Sequence, residues 1–325
     1  MLIVLATSPR VAPGLLSWPA WAALRSASAV LAAPGHPVLP ALDEAGIAYR
    51  VVPGPAAPSG SDGLVVWLPE PGGDPPVPPG ARLLRGSADL PGAHFIDLVA
   101  TMDRLRVECP WDARQTHQSL APHLLEECYE ALEELESGDA QAVREELGDV
   151  LMQPVFHARV AAEREDGTGY TIDDVADGIV AKLVRRHPHV FGDVTVAGAD
   201  EVYANWDEIK RKEKEDQAER SGVPAAGDAS VSALDGVPFG QPALALAAQL
   251  QRRAARARVP EELARLDPPV DTPPGADGPD IGQELFALVA KARKLGLDPE
   301  AELRAAARRY RDLVRAWERS SPTRR

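Results

Sequence analysis

The chain is poor in cysteine and aromatic residues, and it has no long apolar segment. Only two cysteines, Cys109 and Cys128, occur among 325 residues, which argues against a disulfide scaffold and favours a reducing compartment. No stretch approaches the roughly 20 apolar residues that a membrane-spanning helix needs. The apolar start has no basic residue before it, so no signal peptide is predicted. We therefore expect a cytoplasmic protein.

An excess of basic residues is also lacking. The chain has 35 Lys and Arg against 49 Asp and Glu, which gives a net charge of -14. Because proteins that bind nucleic acid in general present a broad basic surface, this balance argues against that class. A local group of basic side chains can still bind a single nucleotide.

Two pairs of carboxylates, each with a spacing of three residues, are the most informative feature. Glu127 and Glu130 form the first pair, and Glu146 and Asp149 repeat it nineteen positions further on. Residues three apart share a helix face, so each pair presents two carboxylates on one side. An apolar stripe repeats with the same offset: Leu124, Cys128, Ala131, Leu132 and Leu135, then Val143, Leu147, Val150 and Leu151. We expect two helices that share a core while their acids face each other.

Four carboxylates close together repel one another unless a cation lies among them. Oxygen ligands on rigid helices suit a hard cation, Mg²⁺ or Mn²⁺. A solvated acidic face is the alternative, because glutamate favours helices and recurs throughout 126–136. The matching register of the two pairs favours the metal site.

Short motifs surround these acids in a fixed order. They are Pro110-Trp111-Asp112, Gln115-Thr116-His117, Leu125 to Glu130, Glu145 to Asp149, and Arg185 to Phe191. With these motifs the chain resembles the MazG family of all-α nucleoside triphosphate pyrophosphohydrolases, whose pattern is EExxE followed by ExxD. The resemblance extends from about Asp103 to Lys210, a third of the chain.

The resemblance implies a reaction and a set of residues. Water attacks the α-phosphorus of a nucleoside triphosphate, and the monophosphate and pyrophosphate are released. The acids that match the family's metal ligands are Glu127, Glu130, Glu146 and Asp149, with Mg²⁺ as the expected ion and Mn²⁺ as a substitute. Glu126, the first acid of the motif, is not one of these ligands. It would either support the ligands or act as the base.

The family's basic and aromatic positions match Lys182, Arg186, Trp206 and Lys210. Lys182 and Arg186 are four residues apart, so they share a helix face and can hold phosphate oxygens. Trp206 either stacks on a base or belongs to the core. The alternative for the basic residues is that they are only exposed charges on their helices.

The composition predicts a mainly α protein in three parts. Residues 1–97 form a small α/β module of unknown role, with strands at Leu2–Ala6, Ala29–Ala33, Gly63–Leu68 and Arg82–Leu84. Residues 98–220 form the catalytic helical bundle. Residues 221–325 form a linker and a degenerate helical repeat, whose final helix covers Glu300–Arg319. In this repeat prolines at 268, 269, 273, 274 and 279 replace the first acidic helix, and Gln283 stands in place of the ExxD aspartate.

The resemblance also implies a homodimer, because family members pair two chains to complete a bundle. Two other functions stay open. The acidic bundle could be a protein-interaction module with a vestigial metal site. A di-metal carboxylate oxidoreductase is disfavoured, because that class needs Glu-x-x-His where this chain has a second acid.

Overall fold

The computed structural model describes residues 1–54, 63–220, 232–260 and 280–320. The chain divides into two compact units, Met1–Trp206 and Asp207–Arg325. No helix within the described ranges has both the length and the apolar composition that crossing a membrane requires.

The first unit begins with a parallel sheet built from short apolar runs. Its strands are β1 (Leu2–Ala6), β2 (Ala29–Ala32), β3 (Arg50–Val51), β4 (Val65–Leu68) and β5 (Arg82–Arg85), with α1 (Trp18–Ser26) and α2 (Leu39–Glu44) between them. The strands lie in the order β3-β2-β4-β1-β5. Side chains of the sheet contribute to two apolar clusters, as expected for parallel strands covered on both faces. The four predicted strands are confirmed, whereas β3 and both helices were not predicted.

Helices make up the remainder of the first unit. They are α3 (His94–Glu108), α4 (His117–Ser137), α5 (Ala140–Ala161), α6 (Ile172–Arg186), α7 (Pro188–Phe191) and α8 (Ala199–Arg220), which continues into the second unit. Met102, Leu120, Val155 and Phe156 form their buried core. The predicted fold class, a mainly helical protein with a small leading α/β module, is confirmed.

The connection between α4 and α5 is only two residues long. Gly138 ends α4 with a φ of 81°, a left-handed conformation that glycine adopts without a Cβ clash. Asp139 then caps α5, and its side chain accepts hydrogen bonds from the backbone N–H groups of Gln141 and Ala142. So short a link makes α4 and α5 antiparallel neighbours, and it places the two acid pairs opposite each other.

Helix α3 begins earlier than the predicted domain boundary. It starts at His94, so a boundary after residue 97 falls inside it. Phe95 packs against the helical core, while Asp97 accepts a 2.8 Å hydrogen bond from Arg10 Nε in the leading module. One helix thus belongs to the bundle and is tied to the sheet module.

The predicted apolar stripe of α4 and α5 is only partly buried. Ala131 lies in the interior, but Cys128, Leu135, Leu147 and Leu151 are exposed, so the prediction of a shared core is wrong for these four. The buried core lies instead around the second half of α5, at Val155 and Phe156, because the facing acids occupy the space between the two helices.

The second unit also consists of helices in the part that the structure describes. After α8 come α9 (Ala243–Arg256), α10 (Ile281–Lys294) and α11 (Pro299–Ser320), and α9 packs against both of the others. The predicted final helix, Glu300–Arg319, is confirmed. Asp280 caps α10 by accepting a 2.9 Å hydrogen bond from the Gln283 backbone N–H. The prolines predicted to replace an acidic helix lie outside the described residues.

Candidate metal centre

The structure brings three of the predicted acids together between α4 and α5. One carboxylate oxygen from each of Glu127, Glu130 and Glu146 lies within 4.8 Å of the others. Glu127 and Glu146 are half-buried, and Glu130 is exposed. The antiparallel hairpin therefore converts two spacings in the sequence into one three-dimensional cluster.

Asp149 lies at the edge of this cluster, outside the group of three. Burial raises the pKa of Glu127, and among the neighbouring charges Asp149 raises it most, ahead of Glu130. Such an effect requires that the Asp149 carboxylate be near Glu127. All four predicted ligands thus belong to one acidic environment.

Glu146 is the acid of the cluster whose surroundings a cation would relieve most clearly. Burial raises the pKa of Glu146, and the charges of Glu130 and Asp149 raise it further. Its Oε2 atom is buried and accepts no hydrogen bond from the described residues. A buried carboxylate oxygen without a donor is costly unless a positive charge compensates it. An oxygen-only donor set of this kind fits a hard divalent cation.

Glu126 is exposed on α4 and is not one of the three acids whose oxygens cluster. The Nδ1 atom of His123 is 3.6 Å from its Oε2. His123 in turn packs edge-on against Trp111, with ring centroids 5.9 Å apart. These contacts place His123 beside the candidate base.

Lys182 and Arg186 lie on the last two turns of α6, which packs against the acid-bearing α5. Lys182 is exposed and Arg186 is half-buried. Basic residues at a helix C-terminus are also favoured by the helix dipole, so their position alone does not define a phosphate site. Their role as phosphate ligands stays a prediction.

Trp206 and Lys210 are both half-buried on α8. Trp206 packs edge-on against His187, with ring centroids 5.2 Å apart, at the junction that follows α6. Lys210 belongs to the second unit. Their roles in nucleotide binding also stay predictions.

One polar pair near the bundle core was not identified from the sequence. The rings of His117 and His157 stack with centroids 5.1 Å apart, and their Nδ1 atoms are 2.8 Å apart. The two residues are 40 positions apart in the chain, so no local sequence pattern indicates this contact. Only the Gln-Thr-His motif pointed to His117.

The helical hairpin with facing carboxylates defines a class of protein with an acidic cluster between two helices, whose oxygen donors fit a divalent cation. The family model described as the MazG nucleotide pyrophosphohydrolase domain matches residues 115–191, which include all of the clustered acids. Relatives extend this similarity over most of the chain. The chain belongs to the MazG family.

Three relatives illustrate the match. An uncharacterised 26.1 kDa protein of Streptomyces cacaoi is 46% identical over 243 residues, covering 74% of this chain and 89% of that protein. The nucleoside triphosphate pyrophosphohydrolase of Mycolicibacterium smegmatis is 39% identical over 239 residues, covering 74% of this chain and 64% of that protein. The nucleoside triphosphate pyrophosphohydrolase/pyrophosphatase MazG of Thermotoga maritima is 36% identical over 241 residues, covering 70% of this chain and 86% of that protein.

Proposed function

We propose that this protein is a Mg²⁺-dependent nucleoside triphosphate pyrophosphohydrolase that clears ribo- and deoxyribonucleoside triphosphates with broad specificity. Water attacks the α-phosphorus, the bond from that phosphorus to the bridging oxygen breaks, and monophosphate and pyrophosphate leave. The observation that carries this proposal is the cluster of Glu127, Glu130 and Glu146 oxygens within 4.8 Å. The buried, unpartnered Oε2 of Glu146 supports it.

Glu127, Glu130, Glu146 and Asp149 would hold the cation, with Mn²⁺ as a possible substitute for Mg²⁺. When bound, the ion supplies positive charge for the triphosphate and acidity for water. Burial and the charges of the neighbouring acids raise the pKa of Glu127 and of Glu146, and a bound cation would relieve both effects.

The other residues would bind substrate and move the proton. Glu126 is the candidate acceptor of the water proton, and His123, 3.6 Å away, can orient it. Lys182 and Arg186 would hold phosphate oxygens from α6, while Trp206 and Lys210 on α8 would contact the nucleotide. Substituting these residues one at a time tests each role separately.

We also propose that the active form is a homodimer in the cytoplasm. The exposed apolar side chains of α4 and α5, Leu135 and Leu151 among them, would be covered by a second copy. Both cysteines are free, which suits a reducing compartment. Light scattering of the purified chain tests the dimer, and a monomer that turns over nucleotide at the full rate would contradict it.

The reaction is tested by identifying both products in water labelled with oxygen-18. A panel of ribo- and deoxyribonucleoside triphosphates is incubated with the full chain and Mg²⁺. Attack at the α-phosphorus places the label in the monophosphate, since pyrophosphate leaves with its own oxygens. Label in orthophosphate would identify attack at the γ-phosphorus instead. Absence of turnover with every substrate would favour the interaction module with a vestigial site.

A further inference from the structure

The leading α/β module contains a cavity at the edge where its parallel strands end. The cavity has a volume of about 510 Å³, and it is lined by residues at the carboxyl ends of β1 and β5, by the segments that follow these two strands, and by the loop after β4. Open parallel sheets bind ligands in the crevice at the carboxyl ends of their strands. Neither the acid cluster nor the family match at 115–191 includes any part of this cavity.

Thr7 is the most deeply buried polar group in the wall, at 7% exposure, and its hydroxyl is oriented by a buried histidine. The Val38 backbone N–H donates to His36 Nδ1 over 3.1 Å, so the proton of the neutral ring lies on Nε2. Burial lowers the pKa of His36, which favours that neutral ring. Nε2 therefore donates to Thr7 Oγ1 over 3.2 Å. The Thr7 hydroxyl already accepts this bond, so its own proton is left for another acceptor.

Two more side chains in the wall, those of Ser87 and Arg85, have hydrogen-bond donors that are not engaged. Ser87 Oγ accepts a 2.9 Å hydrogen bond from the Ser8 backbone N–H, and no acceptor for its proton occurs among the described residues. Arg85 Nη2 donates to Asp74 over 2.6 Å, which leaves several guanidinium N–H groups available. Gly72 and Gly73 have φ values of 103° and 69° and add no side chains to the wall.

The acids in the wall are already engaged by donors. Asp89 accepts hydrogen bonds from the Ser8 hydroxyl and, over 2.7 Å, from Arg10 Nη1. The hydrogen bond from Ser8 is the largest of the effects that lower the pKa of Asp89. Asp74 forms its ion pair with Arg85. The charges of Asp89 and Asp74 are thus each paired with an arginine, while Thr7, Ser87 and Arg85 have donors left that an oxyanion could accept from.

We propose that this cavity binds a small oxyanion, the phosphate or carboxylate group of a metabolite, through Thr7, Ser87 and Arg85. The site is separate from the candidate metal centre, and it gives the leading module a ligand-binding role. It does not depend on the proposed hydrolase activity.

Equilibrium dialysis of the full chain tests this site, with radiolabelled inorganic phosphate in one arm and radiolabelled succinate in the other. EDTA is present so that divalent cations are removed from the acid cluster. We expect saturable binding of at least one anion, with one molecule per chain. Binding of phosphate alone would identify a phosphoryl ligand, and binding of succinate alone would identify a carboxylate ligand.

Substitutions locate the bound anion. Arg85→Gln and the isosteric Thr7→Val should each weaken binding at least about tenfold, because hydrogen bonds to a charged group are lost. Arg82→Gln is the matched control, since Arg82 is exposed on the same strand outside the cavity. Ser87→Ala replaces Thr7→Val if circular dichroism shows that the valine variant is unfolded. The proposal is overturned if neither anion binds, or if Arg82→Gln weakens binding as much as Arg85→Gln.

Discussion

The helix pair α4 and α5 in the first unit and the pair α9 and α10 in the second unit carry opposite charges. Between α4 and α5, the oxygens of three glutamates lie within 4.8 Å of one another. Between α9 and α10, Gln251 donates to the Phe286 carbonyl over 2.8 Å, and its Oε1 accepts from Arg293 Nη1 at 3.3 Å. Packed helices are thus common to both units, and the polar residues between them differ.

The electrostatic consequences of the two arrangements are also opposite. Burial and neighbouring acids raise the pKa of Glu127 and of Glu146. Burial lowers the pKa of Arg293, and the nearby Arg252 and Arg256 lower it further. A cation would relieve the first arrangement and would worsen the second. Helix packing by itself therefore does not supply a cation site, which depends on the side chains that the packed helices present.

The largest expected effect comes from removing one candidate ligand. Glu146→Gln should lower turnover of nucleoside triphosphate at least about 100-fold, because the amide is a poorer ligand for a hard cation than a carboxylate. Glu127→Gln should behave similarly. The check is a steady-state assay of pyrophosphate release with Mg²⁺.

Glu284→Gln supplies the matched control for this prediction. Glu284 is an exposed acid on α10, in the unit without the acid cluster. Its substitution should leave turnover unchanged. Equal losses in Glu284→Gln and Glu146→Gln would remove the distinction between the two helix pairs.

A smaller effect is expected from the basic residues of α6. Lys182→Ala and Arg186→Ala should raise KM about tenfold or more, with less change in kcat, because a charge-assisted contact to phosphate is lost. Arg252→Ala is the control, since Arg252 is an exposed arginine of the second unit. If neither α6 variant changes KM, the phosphate-binding assignment is wrong.

The smallest effect concerns the stacked pair of His117 and His157. Burial, with the nearby His117, lowers the pKa of His157 in the folded chain. The unfolded chain then takes up a proton more readily, so the free energy of unfolding should fall as the pH drops below about 6.5. His157→Gln should reduce this pH dependence, whereas His94→Gln, at an exposed position, should retain it. Urea unfolding at several pH values measures the difference, and identical pH profiles for wild type and His157→Gln would refute the assignment.

Local patterns predicted much of the fold and the centre of the site. Short apolar runs predicted four strands. The repeated spacing of the acids predicted the cluster, because a link of only two residues makes α4 and α5 pack side by side. Contacts between distant residues could not be predicted in this way. The ion pair of Arg10 with Asp97 joins segments 87 residues apart, and it ties α3 to the sheet across a predicted boundary.

The burial of the apolar stripe could not be predicted for a related reason. Leu147 and Leu151 have the spacing of core residues, yet they are exposed in the single chain. Periodicity identifies an apolar face, but it does not say whether the same chain or a second copy covers that face. The sheet order and the cavity beside Thr7 likewise depend on how strands assemble, which spacing along the chain does not encode.

The central claim is that the facing carboxylates of α4 and α5 are a cation site. Thermal unfolding with and without Mg²⁺ tests this claim most directly. At a Mg²⁺ concentration ten times the Kd, binding should stabilise the folded chain by about 1.4 kcal/mol, seen as a rise in Tm over the EDTA-treated sample. Glu284→Gln should show the same rise, and Glu146→Gln should lose most of it. A wild-type Tm that does not respond to Mg²⁺ or Mn²⁺, or a full response in Glu146→Gln, would contradict the account.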